Sequence, residues 1–100
     1  MKTTIEIANT IISQLGGHKF FVMTGAKSPI ALDSGLQVNL PRNKTGGNKL
    51  RVTLTAEDLY DVEFFSVRGA KVASKASADG LSVEQMRAFF ESETGFYLTF

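Results

Sequence analysis

Residues 50–67, LRVTLTAEDLYDVEFFSV, decide the fold. Apolar and polar side chains alternate one by one over residues 50–54, and the alternation starts again at Tyr60. Such alternation is typical of strands with one face buried and the other in water. The short polar connection between the two runs predicts neighbouring antiparallel strands.

Three further strands are predicted on either side of this pair. Residues 36–40 alternate in the same way, and the glycine-rich basic stretch 41–48 joins them to residue 50 as a long hairpin. The β-branched and aromatic run 19–24 favours another strand. Residues 70–76 form the last one, after a tight turn at Arg68-Gly69.

Breaks in these patterns predict where strands end. The stretch 27–34 contains Pro29 and is interpreted as a loop, and Asp79-Gly80 is expected to end the last strand. Residues 36–40 are considered as an edge strand that could pair with a second chain.

Two amphipathic helices flank the strands. The first covers residues 4–15, with a capping box of Thr3 and Glu6 and with Gly16-Gly17 after its end. The second starts at a capping box of Ser82 and Gln85 and ends at Gly95. Helical spacing predicts these inward-facing residues: Ile5, Ala8, Ile12 and Leu15 in the first helix, and Val83, Met86, Phe89 and Phe90 in the second.

The predicted class is therefore α+β, in the order α-β-β-β-β-β-α. About five mostly antiparallel strands form a sheet flanked by an N-terminal and a C-terminal helix. One hundred residues leave no room for two independent cores, so residues 1–100 are interpreted as a single domain.

Composition excludes several classes of site. The chain has no cysteine, which excludes disulfides, thiolate metal sites and a cysteine nucleophile. Apolar runs are short, so neither a signal peptide nor a membrane span is expected, and the protein is interpreted as cytoplasmic.

No catalytic motif is present, and we expect neither an enzyme nor a cofactor, a metal or a small-molecule substrate. Residues 24–28, TGAKS, resemble the end of a phosphate loop but lack its glycines. His18 is the one histidine, too few for a metal site. The spacing of four acids matches no calcium loop: Glu57, Asp58, Asp61 and Glu63.

The net charge is +1, but basic residues concentrate in two hairpins, 41–51 and 68–75. They are either solvated side chains or one basic surface. The candidate binding surface comprises Arg42, Lys44, Lys49, Arg51, Arg68, Lys71 and Lys75.

Two aromatic doublets leave a further alternative open. Phe20-Phe21 and Phe64-Phe65 are all core if a helix covers each face of the sheet. If both helices share one face, some rings are exposed beside the basic hairpins. Exposed rings would fit stacked bases of single-stranded nucleic acid, or a protein interface.

Three stretches resemble a group of short proteins encoded by bacteriophages and prophages: LGGHKFFVMTGAK (15–27), DLYDVEFFSVRG (58–69) and ETGFYL (93–98). The likeness is spread over most of the chain. The resemblance implies an accessory protein of a phage or mobile element, acting in a bacterial host cell. It implies no catalytic or binding residues.

The leading functional hypothesis is a non-catalytic accessory protein that binds a protein partner, either a host factor or another copy of itself. The alternative is a single-stranded nucleic-acid-binding protein that uses the basic hairpins 41–51 and 68–75 with the strand aromatics.

Overall fold

The computed structural model describes residues 4–96, which form an α+β fold. Five strands make one antiparallel sheet whose strand order is the order in the sequence, as the short connections predict. The elements are α1 (Thr4–Leu15), α2 (His18–Thr24), β1 (Lys27–Leu32), β2 (Gly35–Asn39), β3 (Lys49–Leu54), β4 (Tyr60–Arg68), β5 (Lys71–Leu81) and α3 (Val83–Thr94).

All three helices pack on one face of the sheet. The buried residues of the strands alternate with polar ones, as in Leu50 and Val52 of β3, and the register places them on this same face. One core cluster joins them to the helices. Its helical members are Ala8, Ile11, Leu15, Phe20, Met86 and Phe90.

Phe90 of α3 lies at the centre of the core. Its ring centroid is 5.5 Å from that of Phe20 in α2 and 6.0 Å from that of Phe64 in β4. Phe96 adds a third ring at 6.5 Å. Phe90 therefore connects the sheet with two of the helices.

The strand predicted at residues 19–24 is wrong, because this segment is the helix α2. Phe20 and Thr24, four residues apart, fall on one side of the helical turn and are both buried. The Thr24 hydroxyl donates to the Phe20 carbonyl at 2.6 Å. Gly25 then ends the helix in the left-handed conformation. Packing of this buried pair outweighs the β-propensity of the run.

The loop predicted at residues 27–34 is also wrong, since Lys27–Leu32 forms the edge strand β1. Pro29 has no backbone N–H to donate, and an edge strand tolerates this because the backbone groups on its outer side need no partner strand. Residues 36–40 accordingly do not lie at an edge, because β2 pairs with β1 on one side and β3 on the other.

The last strand does not end at Asp79-Gly80, because β5 continues to Leu81. Two register shifts occur where β5 pairs with β4, one of them opposite Asp61. At that shift the Gly80 N–H donates to the Asp61 carboxylate at 3.0 Å. A bulge therefore keeps Asp79 and Gly80 within β5, although the sequence pattern predicted that the strand ends there.

The inward face of α1 differs by one residue from the prediction. Ile5 is 65% exposed, whereas Ile11 is fully buried with Ala8 and Leu15. The predicted capping residue Thr3 lies outside the described residues.

The start of α3 is confirmed. The Ser82 hydroxyl accepts from the Gln85 N–H at 3.2 Å, and the Gln85 side chain accepts from the Ser82 N–H at 2.9 Å. Gly95 ends the helix in the left-handed conformation, as predicted.

We expect Ser82→Ala to lower the free energy of unfolding by about 1 kcal/mol, because the Gln85 N–H loses its acceptor. Urea unfolding followed by circular dichroism measures the change. Ser92→Ala, an exposed position late in α3, is the control and should be neutral or slightly stabilising. Equal effects of the two substitutions would contradict a capping role for Ser82.

Candidate binding surface at the basic end of the sheet

The long loop between β2 and β3 is held against β4. The Asn48 side chain accepts from the Val67 N–H at 3.0 Å and donates to the Val67 carbonyl at 3.1 Å. Its backbone also donates to the Phe65 carbonyl at 3.1 Å. Asn48 therefore extends the pairing of the sheet beyond the end of β3, and the two basic hairpins lie side by side.

Asn43 determines the shape of this loop. Its side-chain amide donates to the carbonyls of Pro41 and Gly47, each at 2.8 Å, and its oxygen accepts from the Thr45 N–H at 3.0 Å. The Thr45 hydroxyl in turn accepts from the Gly47 N–H at 2.9 Å. The N–H groups of Thr45 and Gly47 and the carbonyls of Pro41 and Gly47 are thus hydrogen-bonded within the loop.

The loop is also attached to the helical layer. The Lys44 N–H donates to the carbonyl of Thr94, the last residue of α3, at 3.3 Å. A backbone that is fixed on two sides does not have to be ordered when a ligand binds, which lowers the entropy cost of binding.

Three cations surround one concavity of about 550 Å³, here called the basic concavity. Arg42 and Lys44 come from the loop, and Arg68 comes from the end of β4. No acid occurs among the residues that line it, and within residues 4–96 none of the three cations forms an ion pair. The lining residues are Leu40, Pro41, Arg42, Asn43, Lys44, Thr45, Gly46, Gly47, Asn48 and Arg68.

The other four predicted cations do not line this concavity. Lys71 is the cross-strand partner of Arg68 and extends the basic end of the sheet. Lys75 is exposed on the irregular part of β5. Lys49 and Arg51 point to the sheet face that the helices leave open.

Lys49 and Arg51 both have partners within the chain. The Lys49 ammonium donates to the Asn39 side chain at 2.5 Å. The Arg51 guanidinium lies 3.8 Å from the Glu63 carboxylate and 4.8 Å from the ring centroid of Phe65. Three of the seven predicted residues, Arg42, Lys44 and Arg68, therefore share one concavity. The other four lie outside it, so the seven do not form one continuous surface.

The aromatic doublets are not exposed, although the helices share one face of the sheet. Phe20 and Phe64 are fully buried in the core, and Phe21 packs against it. Phe65 points to the open face, yet only 5% of it is exposed. The structure therefore offers no stacking platform built from these rings.

The remaining sequence signals fall at structurally ordinary places. His18 is exposed at the first turn of α2. Residues 24–28 run from a helix into a strand, the reverse of the strand-to-helix order of a phosphate loop.

Burial raises the pKa of Tyr60 above its ordinary value of 10.0, and the Tyr60 hydroxyl hydrogen-bonds to Gln14, joining β4 to α1.

No group of three or more potential metal ligands occurs within residues 4–96. In the same part of the chain, no helix has the length and apolar character needed to cross a membrane.

Sequence reasoning identified the cations but missed the two asparagines that position them. Asn43 is followed by Thr45 and Gly46, a pattern typical of a turn in which the asparagine side chain bonds to the backbone two residues on. That signal was available. The pairing of Asn48 with Val67 spans 19 residues and has no local signal.

No family model, no curated protein and no solved structure matches the chain.

Proposed function

We propose that the protein is a non-catalytic binding module that holds an acidic segment of a protein partner in the basic concavity. The resemblance to phage and prophage proteins supports the further proposal that it is an accessory protein of a phage or mobile element. Its partner is then a protein of the host or of the element itself.

One observation supports this proposal above the others: Arg42, Lys44 and Arg68 face one concavity and have no counter-ion in the described chain. Three like charges repel one another, and an anionic ligand removes that repulsion. Two of the three are arginines, whose planar guanidinium groups bind carboxylates through paired hydrogen bonds.

The size of the site favours a few anionic groups over a long polyanion. Beyond the basic concavity, the open face carries the carboxylates of Asp61 and Glu63, both half-buried on β4. A phosphate backbone that crossed the sheet would meet these negative charges. A short acidic peptide segment can bind in the basic concavity without reaching these carboxylates.

Single-stranded nucleic acid is the second candidate, and the same three cations support it because they can contact phosphates. Its stacking component lacks support, since the rings of Phe20, Phe64 and Phe65 are buried. Binding through phosphates alone would be weak and strongly salt-dependent.

We expect a fluorescein-labelled octaglutamate peptide to bind at about 50 mM salt. It should bind more weakly at about 300 mM, because added salt shortens the Debye length and screens the attraction between peptide and cations. The triple variant Arg42→Ala/Lys44→Ala/Arg68→Ala should lose at least tenfold in affinity, since it removes three charge-assisted contacts. Fluorescence anisotropy measures both effects.

A second triple variant, Lys27→Ala/Lys49→Ala/Lys75→Ala, is the matched control. Each triple variant changes the net charge from +1 to −2, so a global charge effect would weaken both equally. The control should retain the affinity of the unsubstituted protein. Equal losses, or no peptide binding at low salt, would overturn the proposal. Tighter, concavity-dependent binding of a labelled single-stranded oligonucleotide would replace it with the second candidate.

A further inference from the structure

The sheet face opposite the helices, here called the open face, is not covered by any element within residues 4–96. The register identifies the side chains that it presents. Lys27, Asn39, Lys49 and Phe65 form one cross-strand row, and Ile30, Gln37, Arg51, Glu63 and Ser77 form the next.

Charge on the open face is separated into two halves. The three strands β1 to β3 carry only cations there, namely Lys27, Lys49 and Arg51. The two strands β4 and β5 present three carboxylates there, Asp61, Glu63 and Asp79, which line one shallow concavity with Arg51. Lys75 of β5 lies at a register shift.

From this separation we infer that the open face binds the open face of a second copy of this chain, as a two-fold symmetric dimer. A two-fold axis that lies in the plane of the interface and runs between the two halves brings the positive half of one copy onto the negative half of the other, twice. Three cations then meet three carboxylates in each half, so the face is complementary to itself.

The charges of the open face are only loosely paired within one chain. The bridge between Arg51 and Glu63 is 3.8 Å long, and their side chains stay 44% and 38% exposed. Both groups can therefore contact a second molecule without first giving up a short, buried ion pair.

The two edges of the sheet are poorly suited to the same task. In β1, Pro29 lacks a donor and Ser28 has a φ of 56°, so the edge is irregular. In β5, two register shifts and the exposed Lys75 interrupt the outer edge. These features disfavour pairing of copies through an added strand.

Sedimentation equilibrium of the unsubstituted protein tests the dimer. At about 50 mM salt the weight-average mass should rise with concentration from 10.9 kDa towards twice that value. At about 1 M salt it should stay at the monomer mass, because screening removes the charge attraction. A monomer at both salt concentrations, up to the highest soluble concentration, would overturn the inference without using any variant.

Charge exchange tests the face itself. Lys27→Glu/Lys49→Glu makes the face almost entirely negative, and Glu63→Lys/Asp79→Lys makes it almost entirely positive, so each variant alone should be monomeric. An equimolar mixture should restore the dimer mass at low salt. Failure of the mixture to associate, with both variants folded by circular dichroism, would place any self-association elsewhere. The triple variant of the basic concavity should dimerise normally, which keeps this inference separate from the proposed function.

Discussion

Replacing Phe90 with alanine should lower the free energy of unfolding by about 3–5 kcal/mol, the usual cost of removing a buried phenylalanine. Phe90 is 1% exposed and its ring lies against those of Phe20 and Phe64. The substitution leaves a cavity between α3, α2 and the sheet, which the surrounding backbone cannot close. For a domain with a total stability of about 5–15 kcal/mol, this is a large share.

Urea unfolding followed by far-ultraviolet circular dichroism measures this loss, because the chain contains no tryptophan for fluorescence. The control is Val72→Ala on β5, where the side chain is 68% exposed and the change should stay within about 0.5 kcal/mol. If Phe90→Ala cost no more than Val72→Ala, the central role of this ring would be refuted.

Gly35→Ala should cost about 3 kcal/mol through a steric clash, although it adds a single methyl group. A Cβ atom at this position would lie 2.1 Å from the Val52 carbonyl oxygen and 3.1 Å from the Thr53 Cα. Both atoms belong to the backbone of β3, so β2 and β3 must move apart. The neighbouring hydrogen bond from the Leu54 N–H to the Ser34 carbonyl, 2.7 Å long, would then be strained.

The same unfolding measurement tests this substitution, with Ser34→Ala as its neighbour control. The Ser34 side chain is exposed and only its backbone is hydrogen-bonded, so its removal should be nearly neutral. A Gly35→Ala protein as stable as the control would show that the two strands adjust easily and that the close approach is not required.

Elements with a strong local signal were predicted well. The alternating runs at residues 36–40 and 50–54 correspond to β2 and β3, because burying one face of a strand requires that alternation. The start of α3 was predicted from Ser82 and Gln85, because a capping box acts within four residues of the chain.

Elements whose conformation depends on distant contacts were predicted poorly. Residues 19–24 have strand-forming composition but form α2, because the Phe20 ring packs against Phe90, 70 positions later. The stretch 27–34 contains Pro29, Asp33 and Ser34, which predict a loop, yet residues 27–32 are extended. They form β1 because the strand at 35–39 leaves an edge to which they can pair.

In the candidate site, too, the residue types were predictable from the sequence but their arrangement was not. The basic residues of both hairpins are visible in the sequence as two stretches without acids. Which of them share one place is not visible there. The pairing of Asn48 with Val67 brings Arg42 and Lys44 beside Arg68, whereas strand alternation turns Lys49 and Arg51 to the open face.

The sequence by itself determined the α+β class, the antiparallel meander and the capped C-terminal helix, because periodicity, short connections and caps act through neighbouring residues. Only the tertiary structure decided that all three helices cover one face, that Phe20, Phe64 and Phe65 are buried while Phe21 is partly buried, and that three cations surround one concavity. These features depend on contacts between residues far apart in the chain, and such contacts form only when the elements pack together around one core.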